Sequence, residues 1–212
     1  MAERVLVAEA AVEELALLGL TEKNLHDAVQ RGEWARDRCT PNDVPSRPGF
    51  DAWAETTRAL RDILGPAWTK DLYKGLPLTV APSGLYAIAV SAGDAGTGIK
   101  GRASSPKYPR GKASREMFQR HTLELFPDLY PRTQPRTAEY TKTFLLLVRA
   151  GKKDVRSELS LVASLTKRNF VATWDRRIIL SPMTKGPEIK VGTIPPQGAK
   201  TDSDVKVARN RA

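Results

Sequence analysis

Cysteine, histidine and aromatic residues are scarce in this chain of 212 residues: one Cys, two His and 7% Phe, Trp and Tyr. A lone Cys39 excludes an internal disulfide and points to a reducing compartment, the cytosol. One cysteine with two histidines also falls short of the four Cys/His ligands of the usual structural zinc site. No apolar run approaches the roughly 18 residues that a membrane span needs, so no membrane partner is expected. The start, Met1-Ala2-Glu3-Arg4, carries an acid early and lacks a small-residue cleavage site, so no secretory signal is expected. What is present suits a globular chain: 41% hydrophobic and 27% charged residues, enough for a packed core and one domain.

The charge is unevenly placed. Of the formal net +10, residues 1–94 carry 10 Lys/Arg against 14 Asp/Glu, a net of −4, and residues 95–212 carry 24 against 10, a net of +14. Lys100, Arg102, Lys107, Arg110, Lys112, Arg115 and Arg120 share their stretch with one acid, Glu116. Like charges so closely spaced repel unless an anion relieves them, and a basic half of this size attracts polyanions. A solvated loop and an acidic protein partner are the other readings of the same run.

Periodicity sets the expected fold. Val5, Ala8, Val12, Leu15 and Ala16 share one helical face within Glu3–Leu18, closed by Gly19. Thr21 caps a second helix with Leu25, Ala28 and Val29 inward, ended by Gly32. A third runs from about Phe50, with Trp53, Leu60 and Leu64 at helical spacing, to the stop Gly65-Pro66. Leu76–Ala81 and Leu85–Val90, joined by Pro82-Ser83-Gly84, read as a hairpin. The segment from Ser91 to Lys112 reads as an exposed loop, and Ser114 as the cap of a helix with Met117, Phe118, His121, Leu125 and Phe126 mainly inward. Phe144–Arg149 and Val155–Leu165 around Gly151-Lys152-Lys153-Asp154 make a second hairpin, and Phe170–Leu180 a further strand. The expected class is α+β: a helical N-terminal layer packed on a mostly antiparallel sheet. Residues 1–185 form a single domain on this reading, helical over 1–66 and sheet over 67–185, followed by a basic, extended tail over 186–212.

Three motifs bear on chemistry. Gly96-Thr97-Gly98-Ile99-Lys100-Gly101 matches a dinucleotide fingerprint and follows a strand, but Arg102-Ala103-Ser104-Ser105-Pro106 opens no helix behind it. The stretch from Gly93 to Lys100 approaches a phosphate loop, with Gly101 where a metal-binding hydroxyl belongs. Backbone amides between Gly93 and Gly101, with neighbouring Lys and Arg, are instead expected to touch nucleic-acid phosphates. Asp175 followed by Glu188-Ile189-Lys190 has the spacing of the PD-(D/E)xK nucleases, in which the acids would hold Mg²⁺ and Lys190 would orient water. His26 and His121, single on their helices, read as structural, and Cys39 as inert. Trp34, Trp53, Trp68 and Trp174 read as core or rim, which leaves Tyr108 as the candidate for base stacking.

Ser83-Gly84-Leu85-Tyr86-Ala87-Ile88, then Tyr108-Pro109-Arg110-Gly111-Lys112-Ala113-Ser114 with Arg115 and Arg120 beyond, resembles the core of the GIY-YIG nuclease family. The resemblance implies that Tyr86 and Tyr108 activate water or the leaving group and that Arg120, or less well Arg115, steadies the phosphate. It also implies Glu124 or Glu139 as ligand of a Mg²⁺ ion. The plainer reading makes Tyr86 a hairpin core residue and Tyr108 a loop residue. The expected function is a nucleic-acid-binding protein that grips phosphates, largely independent of sequence, through Lys100, Arg102, Lys107, Arg110, Lys112, Arg115, Lys152 and Lys153. It needs no cofactor, and Mg²⁺ enters only with a nuclease. A magnesium-dependent endonuclease and an interaction module for an acidic protein are the alternatives. Oligomeric state is left open.

Overall fold

The computed structural model describes residues 3–109, 111–112, 114–118 and 142–185. Along the chain its elements are β1 (Arg4–Leu6), α1 (Ala8–Leu17), α2 (Glu22–Asp37), α3 (Arg47–Leu64), β2 (Thr69–Tyr73), β3 (Leu76–Val80) and β4 (Tyr86–Ala92). After a long connection come β5 (Lys142–Ala150), β6 (Asp154–Leu165), β7 (Val171–Ile179) and β8 (Met183–Thr184). The strands form one eight-stranded sheet in the order β1-β7-β6-β5-β4-β3-β2, with β8 off this path and paired with the start of β6.

The α+β class and both expected hairpins, β3–β4 and β5–β6, are present. The sheet is mixed rather than strictly antiparallel, because β1 runs parallel to β7 and β4 parallel to β5. A parallel pair needs a crossover of a dozen or more residues, and residues 93–141 between β4 and β5 supply that length.

Alternation along the central strands splits the core in two. Tyr86, Ile88, Val90, Phe144, Leu146, Leu159, Leu161 and Ile178 face the helices, where they meet Leu15, Leu25, Ala28, Val29, Ala59 and Leu60. Ala87, Ala89, Leu145, Leu147, Val162 and Trp174 face the other way and pack with Tyr73, Met117 and Phe118. Burying each leucine contributes roughly 1.5–3 kcal/mol, so both faces of the sheet are firmly held.

The helices depart from expectation in three places. Residues 4–6 are a strand, not the first turn of a helix. Val7 is extended, and α1 starts at Ala8. That start turns the buried face to Ala11, Glu14 and Leu15 and leaves Val12 54% exposed. Thr21 caps α2 as expected, in a reciprocal capping box with Asn24. Gly32 does not end α2, which continues to Asp37. It lies instead where α2 meets α3, and a Cβ there would come within 1.9 Å of Thr56 Oγ1 and 2.7 Å of the Ala52 carbonyl. Phe50 is 61% exposed and leans on Trp53 at 5.6 Å rather than entering the core. On the sheet side, β2 is an additional strand, joined to β3 by a two-residue turn in which Lys74 and Gly75 both have positive φ. The predicted tail, 186–212, lies outside the described residues, as do His121, Leu125 and Phe126 of the predicted helix. Helix is present at 112 and 114–118, with the Arg115 amide donating to the Gly111 carbonyl at 3.0 Å, so Ser114 lies within the helix and does not cap it.

Candidate nucleic-acid interface

Where β4 ends, the chain makes a loop whose two ends meet. Gly93 bridges to Pro106, the Asp94 amide donates to the Ser105 carbonyl at 2.9 Å, and the Lys107 amide donates to the Ala92 carbonyl at 2.9 Å. This is the geometry of an Ω-loop, a surface excursion packed by its own side chains. It runs over the sheet face opposite the helices, past β6 and as far as β7, where the Trp174 indole N–H donates to the Ser104 carbonyl at 2.9 Å.

The glycines serve this path by close approach. A Cβ on Gly96 would stand 1.8 Å from the Ala103 carbonyl, and one on Gly93 would stand 2.1 Å from Thr97 Oγ1. Gly98, at φ +71°, lies against Arg156 and Ser157. The expectation that amides between Gly93 and Gly101 reach outward is therefore corrected at most positions. Gly93 donates to the Val148 carbonyl, Gly96 to Asp94 Oδ1, Thr97 to the Asp94 carbonyl, Gly98 to Glu158 Oε2, and Ile99 to the Gly96 carbonyl. Buried amides must find partners, and here the protein itself supplies them.

Beneath the loop lies a buried ion pair that charge counting along the sequence does not isolate. Glu158 is 0% and Arg177 2% exposed, and Arg177 Nη2 meets Glu158 Oε2 at 2.7 Å while Nε meets Oε1 at 3.1 Å. Ser104 and Ser160 donate their hydroxyls to Oε1 at 2.6 and 3.0 Å, and Gly98 N–H reaches Oε2 at 2.8 Å. Arg177 Nη1 donates to the Arg102 carbonyl at 2.8 Å and to Glu3 at 3.4 Å. Desolvation by itself disfavours charge on Arg177, but Glu158 and Glu3 outweigh it and keep the guanidinium protonated. The signal in the sequence is faint, because Glu158 stands near Arg156, Ser157 and Ser160 in β6 and Arg177 follows Asp175 and Arg176 in β7; burial of the two charges is tolerated because they are paired. Beside this network, a cleft of about 240 Å³ is lined by Glu3, Asp94, Ser104, Ser105, Thr173 and Trp174. Among the described residues, no three His, Cys, Asp or Glu side chains come together as a metal-binding group.

The cations sit outside this polar base. Lys100, Arg102, Lys107, Lys112, Arg115, Lys152 and Lys153 are exposed, and none makes an ion pair among the described residues. The Lys152-Lys153 turn follows β5 at the end of the sheet where the Ω-loop begins: Ala92 pairs with Val148, and Arg156 Nη1 reaches the Ala95 carbonyl at 3.4 Å. The two basic segments thus share one end of the sheet. The helical layer behaves differently. Lys23 pairs with Asp27 at 2.5 Å, Arg36 with Glu33 at 3.0 Å, Arg47 with Asp43 and Asp51 at 2.6 and 3.2 Å, and Arg58 with Glu55 and Asp62.

The tyrosines implied by the nuclease resemblance are not brought together. Tyr86 starts β4 on the helix-facing side, 7% exposed, edge-on to Trp68 and Phe144, and its hydroxyl donates to the Leu18 carbonyl. Burial pushes that phenol far above its usual value. Tyr108 is 60% exposed beyond the opposite end of β4, with Lys107 Nζ 5.3 Å from its ring centre. A seven-residue strand spans roughly 20 Å, so Tyr86 is a core residue and forms no site with Tyr108. Arg110, Arg120, Glu124, Glu139, Glu188 and Lys190 lie outside the described residues. Glu116 binds Lys74 and lies 3.5 Å from the Tyr73 hydroxyl, contacts that hold its carboxyl below the usual range. Cys39 lies 3.5 Å from Asp51, and desolvation followed by that carboxylate raises its thiol pKa, which disfavours the reactive thiolate. Comparison with protein-family models, curated proteins and solved structures finds no match for this chain.

Proposed function

We propose that this protein binds nucleic acid through the phosphate backbone, with little sequence preference, using the Ω-loop and the Lys152-Lys153 turn. The observation that carries the reading is the contrast between the two sides of the molecule. Lys23, Arg36, Arg47 and Arg58 of the helical layer each pair with an acid close by in the chain, whereas Lys100, Arg102, Lys107, Lys112, Arg115, Lys152 and Lys153 are exposed and make no ion pair among the described residues. Exposed cations held on one anchored surface match a polyanion whose charges are closely and regularly spaced. Lys107 beside Tyr108 adds a cation and an aromatic ring to the same surface, a pair of the kind that meets both a phosphate and a base.

The test compares charge reversals on the two sides. Lys100→Glu with Lys107→Glu should lower affinity for a 20-nucleotide duplex or single strand by about tenfold or more, similarly for all sequences. Lys23→Glu on α2 should leave it unchanged. Equal effects from both sides would contradict the reading. Capture of an acidic protein from nuclease-treated extract by the wild type, with no oligonucleotide binding, would replace it with the protein-partner reading.

A further inference from the structure

We propose that Glu158 is the positioning residue of the nucleic-acid surface: its one buried carboxylate clamps both ends of the loop tip and so sets where Lys100 and Arg102 stand. The inference rests on the binding reading above for its functional half and on the geometry alone for its structural half.

Residues 99–103 form the tip, and the residues flanking it end on the same side chain. Gly98 N–H is held by Glu158 Oε2 at 2.8 Å and Ser104 Oγ by Oε1 at 2.6 Å. Two oxygens of one rigid carboxylate therefore fix the separation of the two ends of the tip. Glu158 is itself immobilised by two bonds from Arg177 and one from Ser160. Arg177 also takes the Arg102 carbonyl, so the backbone that carries one of the proposed phosphate-binding cations is tied to the same pair. The tip side chains Lys100 and Arg102 remain exposed while their backbone is anchored below. An anchored backbone loses less freedom on binding, which favours affinity without adding a contact to the ligand.

Every donor around Glu158 points at an acceptor, so Glu158→Gln introduces an amide where the Gly98 or Arg177 N–H needs an oxygen. Ser104→Ala is the milder variant, which removes one loop anchor and leaves the buried pair intact. Two readouts decide the matter. Hydrogen exchange at the Gly98 amide should quicken by about 10- to 100-fold in Glu158→Gln and less in Ser104→Ala. The slope of log K against log salt should flatten by about two in Glu158→Gln, as Lys100 and Arg102 lose their fixed positions. A role confined to stability would lower the melting temperature while leaving the slope of the folded protein unchanged. Wild-type exchange at Gly98 in both variants overturns the clamp. Faster exchange with an unchanged slope overturns its functional half and leaves the binding reading standing. Failure of the wild type to bind any oligonucleotide overturns the binding reading and the functional half together, and the exchange data alone then decide the structural half.

Discussion

At the scale of single residues, two positions read from the sequence for one purpose serve another. Gly32 has the look of a helix stop, yet its missing side chain is what lets α2 approach Thr56 and the Ala52 carbonyl of α3. Gly32→Ala should cost about 1–3 kcal/mol of unfolding free energy by overpacking, measured by denaturant titration, although alanine is the better helix former. Tyr86 has the look of a catalytic phenol, yet its hydroxyl ends on the Leu18 carbonyl within the helix-facing core. Tyr86→Phe should cost about 1 kcal/mol of stability and leave oligonucleotide affinity unchanged. A loss of affinity at full folding would return Tyr86 to the functional surface.

At the scale of elements, legibility followed locality. The β3–β4 and β5–β6 hairpins are readable because the turn residues Pro82-Ser83-Gly84 and Gly151-Lys152-Lys153 lie next to the apolar runs they join. β1 is unreadable for the opposite reason: its only described partner is Arg176–Ile178 of β7, nearly the whole chain away. β2 is hard to see because four of its five residues are exposed, so no apolar alternation marks it. The entry to α3 carries its own pH dependence. Asp43 accepts the Thr40 amide and pairs with Arg47, which holds its carboxyl below the usual range, and Glu55 is held low by Arg58 within the helix. A carboxyl depressed on folding contributes stability above its unfolded pKa of about 4 and loses it as pH falls through the folded value. Melting temperature should therefore be level near neutrality and drop below about pH 4. A melting temperature that rises on acidification would contradict these pairings.

At the scale of the whole molecule, the division of charge is legible from composition, but its arrangement is not. Counting shows a basic C-terminal portion. It does not show that Lys100, Arg102 and the Lys152-Lys153 turn leave the same end of one sheet, because β4 and β5 become neighbours only through a long crossover. Nor does counting separate Arg177, buried on Glu158, from the exposed bases around it. The glycine-rich segment shows the same limit, since its pattern suggests a phosphate cradle while six of its amides, those of Gly93, Asp94, Gly96, Thr97, Gly98 and Ile99, bond within the protein. The most direct measurement is the affinity of the wild-type protein for a fixed 20-nucleotide DNA across 50–200 mM salt. With about five to seven phosphates engaged by the exposed bases of this face, log K should fall against log salt with a slope of roughly −4 to −6. A slope near zero, or no binding at the lowest salt, would contradict a cationic face built for phosphates.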